Sequence, residues 1–115
     1  MDEQQEKKLA DKLRRAAAVR EREIDEAIVA FMQHSQGRRA VYWLLEIAGT
    51  NSNPFVGNAL STAFNCGRQS IGQALQSRVA TVAPDFFLTM LKESENEQRT
   101  LRNTGNTDDD AESES

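Results

Sequence analysis

The chain has one cysteine, one histidine, one tryptophan, one tyrosine and two prolines in 115 residues, and only 6% of it is aromatic. With Cys66 alone there is no internal disulfide, and with His34 the only imidazole there are too few ligands for a structural zinc cluster. No apolar run approaches the roughly 20 residues of a bilayer span. The opening segment, MDEQQEKKL, is charged throughout and lacks the apolar stretch of a secretion signal. The expected compartment is therefore a cytoplasm, whether the chain stays there or is only assembled there. A chain this short supports one small domain and excludes a large enzyme with a deep cleft between lobes.

What is present is charge, unevenly placed. The formal net charge is -4 from 14 basic and 18 acidic residues. Residues 1–26 hold seven basic and eight acidic side chains, residues 27–91 hold four and two, and residues 92–115 hold three and eight. This predicts a charged helical arm over 1–34, a small helical domain over 35–102 and an acidic tail over 103–115. The tail, NTGNTDDDAESES, has no apolar side chain larger than Ala. It cannot offset its ordering entropy by burial, and we expect it to be disordered.

Hydrophobic periodicity predicts an all-α fold. At 100° per residue, Leu9, Leu13, Ala17, Ile24, Ala27, Ile28 and Phe31 form one stripe of a helix over about Glu3 to Gln33. Lys8, Lys12, Arg15 and Arg22 fall on roughly the opposite side, either as a solvated face paired with acids or as phosphate contacts. Gly37 is the expected breaker of this helix. The run from Ala40 to Ala48 is apolar around almost its whole circumference, which predicts a buried second helix stopping at Gly49; Arg39, Tyr42 and Glu46 form its one polar edge.

GTNSNPFVGN reads as a loop, and Asn58 as the N-cap of a third helix over Ala59 to Val82. Leu60, Phe64, Ile71, Leu75 and Val82 form its expected buried stripe. A file of small residues beside it, Ala63, Gly67, Ser70 and Ala74, would admit a close helix neighbour. Pro84 and Asp85 open a fourth helix, with Phe86, Phe87, Met90 and Leu91 as its buried face. Its helical character is expected to fade after Leu101.

Catalytic chemistry finds little support. Ser70, His34 and Asp85 could form a triad on paper, but no nucleophile-elbow signature accompanies them. Cys66 reads as a small core residue. Asp108–Asp110 lacks the spacing of a calcium loop. No cofactor or metal is expected, and the chain is expected to work by binding.

Size suggests how. A helix of about 30 residues is about 45 Å long, whereas a compact unit of some 65 residues is about 28 Å across. The first helix must therefore overrun its own domain, so that Leu9, Leu13, Ala17, Ile24 and Ile28 are candidate contacts with another copy or another protein. Lys8, Lys12, Arg15 and Arg22 are the candidate nucleic-acid contacts.

The run GRRAVYWLLEIAGTNSNPFVGNALSTAFNCGRQSIGQAL, ending in PDFFLTMLKES, resembles the Bbp-nineteen-like family of small tailed-bacteriophage proteins. Five blocks carry the likeness: Gly37, Arg38 and Arg39; Trp43, Leu44, Leu45 and Glu46; Phe55, Gly57 and Asn58; Phe64, Asn65, Gly67 and Arg68; Met90 and Glu93. They span about Gly37 to Glu93 and leave the arm and tail outside. One departure from the family's pattern concerns its usual acidic residue near the last helix, where this chain has Asp85 after Pro84. The resemblance implies a virion-associated protein, assembled in the host cytoplasm, with portal, capsid or ejection proteins as partners alongside copies of itself. The alternatives are a transient scaffold and a DNA-binding packaging accessory. A membrane becomes a partner only if the protein is ejected.

Overall fold

The computed structural model describes the backbone of residues 2–114 and the side chains of residues 2–105. Four helices follow one another, α1 (Glu3–Met32), α2 (Ser35–Ile47), α3 (Ala59–Val82) and α4 (Pro84–Glu114), with no strand among the described residues. A long N-terminal helix thus precedes a three-helix unit, as periodicity indicated.

α1 begins in a reciprocal cap. The Asp2 carboxylate accepts from the Gln5 backbone N–H at 2.8 Å, and the Gln5 side chain accepts from Asp2 N–H at 3.2 Å. Its other end is closed by α2. Arg38 Nη1 donates to the Met32 and Gln33 carbonyls at 2.9 and 3.1 Å, satisfying acceptors that a helix C-terminus leaves open and placing a cation at its negative pole.

The chain turns at Gln33–His34, not at Gly37. Gly37 lies buried inside the first turn of α2, where a Cβ would collide with the Phe31 carbonyl. Glycine is required there by the close approach of Phe31 and not as a helix breaker, a role that local sequence does not distinguish. α2 ends in a Schellman turn: Gly49 N–H bonds Glu46 C=O and Thr50 N–H bonds Leu45 C=O, with Gly49 at φ 63°.

The core lies where α1's last turns meet α2, α3 and the start of α4. Met32, Val41, Leu45, Val79, Ala83 and Met90 are buried, with Ile28, Val29, Tyr42, Leu75, Phe86 and Phe87 packed around them. α2 is less enclosed than its composition implied, since Trp43, Leu44 and Ile47 are exposed. On α3 the close-packing glycine is Gly72, against Ala48 and Thr50 of the turn after α2. The expected file of Ala63, Gly67, Ser70 and Ala74 is exposed, and a Cβ at Gly67 would meet nothing within 4 Å. The upper stripe of Leu60, Phe64 and Ile71 is likewise exposed, as are Leu91 and Cys66. Helical periodicity places residues on one face, but it does not say how far along that face a partner extends.

α4 does not fade after Leu101. Asn103, Thr104 and Gly105 continue it, because adding a residue to an existing helix costs far less than nucleating one. The acidic remainder of the expected disordered tail lies outside the residues whose side chains are described.

The result is elongated. Its radius of gyration is 21.5 Å, against about 13 Å for a compact chain of this length.

Candidate interaction surfaces

Residues 2–23 are exposed without exception, and only from Ile24 onward does α1 enter the body. The unsupported arm is therefore about 30 Å long. Leu9 and Leu13 are 45% and 60% exposed, and Ala17 and Val19 are exposed beside them. Ile24 and Ile28 differ: both are half-buried, and Ile28 packs on the core. They belong to the body, so the candidate contact stripe reduces to Leu9, Leu13 and Ala17.

The arm is fastened by Arg78 of α3. Its Nε donates to Asp25 at 2.9 Å, and its Nη2 contacts the Glu21 carboxylate at 2.7 Å and donates to the Glu21 carbonyl at 3.0 Å. The Asp25 hydrogen bond, chiefly, raises the Arg78 pKa above its ordinary value; Glu21 adds to it and partial burial opposes it. Val29, Ala30 and Val82 line the shallow apolar depression beside this fastening, with Arg22 and Asp25 at its rim.

Lys8, Lys12, Arg15 and Arg22 are exposed on the arm. Arg14, between them, pairs with Asp11 at 2.7 Å.

The sequence blocks from Gly37 to Glu93 divide into two groups. Gly37, Arg38 and Asn58 build the fold: Asn58 caps α3, its side chain accepting from Leu60 and Ser61 N–H at 2.9 and 3.2 Å. Arg38 joins the Gly-Arg-Arg block to the Met-x-x-Glu block, its Nη2 meeting Glu93 at 2.7 Å. The second group faces outward. Trp43, Phe55, Gly57, Phe64, Gly67 and Arg68 are all exposed. Arg39 and Glu46 line the cleft of about 390 Å³ between α2 and α4, with Tyr42, Trp43 and Leu101. Arg39 spans it to Glu97 at 2.7 Å.

Two side chains organise the loop before α3: Asn65, which belongs to the fourth sequence block, and Gln69, which none of the blocks contains. Gln69 Nε2 donates to the carbonyls of Gly49, Thr50 and Ser52 at 3.2, 3.3 and 2.6 Å. Asn65 Nδ2 donates to Pro54 C=O at 3.2 Å. A Gln one helical turn after Asn65, and facing a Gly/Asn/Ser loop, was the available signal.

Among the described residues no group of three His, Cys, Asp or Glu could hold a metal ion, and no helix is long and apolar enough to cross a membrane. What the geometry offers chemically is apolar contact. No family model, curated protein or solved structure matches the chain.

Proposed function

We propose that this chain is a non-enzymatic helical component of a tailed-bacteriophage particle, in the head, beside the portal or among the ejected proteins. It self-associates or docks on a virion partner through its N-terminal arm and is assembled in the host cytoplasm. One observation carries the binding role: Leu9, Leu13 and Ala17 lie exposed along an arm that none of the other described residues covers. Apolar stripes on helices are ordinarily buried, and their exposure on a chain with a small core favours association. The phage setting is supported by the five sequence blocks between Gly37 and Glu93, two of which the Arg38–Glu93 pair brings into contact.

The experiment has two parts. Mass spectrometry of purified particles should find the chain; its presence only in precursor shells would make it a scaffold instead. Leu9→Asp with Leu13→Asp should lower the mass measured by light scattering, and an unchanged mass would remove the arm as the contact.

DNA binding is a second reading, favoured by the exposed Lys8, Lys12, Arg15 and Arg22. Phosphate neutralisation by this face would weaken steeply with salt. The net charge of -4 opposes it, and a mobility-shift titration at two salt concentrations separates the two readings.

A further inference from the structure

A second uncovered apolar face lies on α3, apart from the arm. Leu60, Phe64 and Ile71 are 84%, 69% and 74% exposed, and helical spacing sets them on one stripe alongside Gly67 and Ala74. Between Ala59 and Ser77 the only charged residue of α3 is Arg68, whose guanidinium sits 5.9 Å from the Phe64 ring centroid. Gly67 has open space around it, since an added Cβ would meet nothing within 4 Å. A glycine weakens a helix interior, and no contact among the described residues requires one here.

The residues around Gly67 are reciprocal. Counting outward from it, Phe64 mirrors Ser70, Ala63 mirrors Ile71 and Leu60 mirrors Ala74. Two copies of α3 laid antiparallel about a twofold axis at Gly67 would match a large side chain of one copy to a small one of the other at each level. The two glycines would sit at the centre, where the backbones come closest. Such a self-complementary patch is what a twofold interface requires. An aromatic side chain buries about 150–250 Å². With Phe64, Leu60 and Ile71 each copy offers on the order of 400 Å², and the pair about 800 Å², the size of a weak, reversible interface.

We propose that α3 pairs antiparallel with α3 of a second copy, centred on Gly67. This contact goes beyond association through the arm and does not depend on it.

Sedimentation velocity on the full chain tests it with three variants. Phe64→Asp with Ile71→Asp should halve the mass of the wild-type assembly while the helical circular dichroism stays unchanged, since both positions are exposed. Gly67→Leu should do the same: it adds apolar surface but fills the crossing point, whereas unspecific association would be strengthened by it. Leu9→Asp with Leu13→Asp should leave the α3 pair intact. An unchanged mass in both α3 variants overturns the proposal, and if the arm variant alone lowers the mass, the arm reading survives by itself. A wild-type chain that is monomeric but binds phosphatidylglycerol vesicles through Phe64 would assign the face to a bilayer and also overturn it.

Discussion

Arg38 of α2 and Glu93 of α4, 55 positions apart, meet through Nη2 at 2.7 Å and Nε at 2.9 Å, both on one carboxylate oxygen. The other guanidinium nitrogen closes α1, and the guanidinium lies 5.9 Å from the Phe86 ring centroid. One largely buried side chain therefore joins the end of α1 and the start of α2 to the body of α4. The Arg39–Glu97 pair one residue along is mostly solvated and contributes little by comparison.

Arg38→Ala should accordingly destabilise the chain by about 2–3 kcal/mol, because it opens two helix-end carbonyls as well as the ion pair. Arg39→Ala should cost under about 0.5 kcal/mol. Urea unfolding followed by circular dichroism measures both, and equal losses would contradict the assignment of Arg38 as the clasp.

Two helical glycines should respond in opposite directions. At Gly72 a Cβ would strike Thr50 and come within 2.8 Å of the Ala48 Cβ, so Gly72→Ala should cost about 1–3 kcal/mol. Gly67 has room for one, and Gly67→Ala should raise the thermal stability of the monomeric chain by about 0.5–1 kcal/mol through helix propensity alone. Thermal melts at low protein concentration, where association is absent, read the difference.

Gln69 holds the loop from one position. Gln69→Ala removes the donor shared by three carbonyls, and residues 49–58 should exchange amide hydrogens faster while α1 is unaffected. The stability loss should be about 1–2 kcal/mol. Hydrogen exchange by mass spectrometry checks the location, and protection lost uniformly over the chain would argue for a global effect instead.

The helices were readable in the sequence because their signals are local. Asn58, Gly49 and Pro84 each act within one turn, and they set ends that the structure reproduces closely. Burial was less readable. Leu60, Phe64 and Ile71 carry the same periodic pattern as Leu75 and Val82, yet only the later pair is half-buried, on the stretch of α3 where Arg78 meets Asp25 of α1. Gly37 and Gly67 also look alike in sequence, and only the position of Phe31 separates a required glycine from an uncovered one. The arm's excess length followed from arithmetic on helix rise, but the point where it leaves the body, near Ile24, depended on the Arg78 fastening.

Native mass spectrometry of the unmodified chain, sprayed across a concentration series, tests self-association most directly. Assemblies of two or more copies should grow in with concentration. A single species at 12.9 kDa throughout the series would contradict it and leave the exposed leucines and phenylalanines to a different partner.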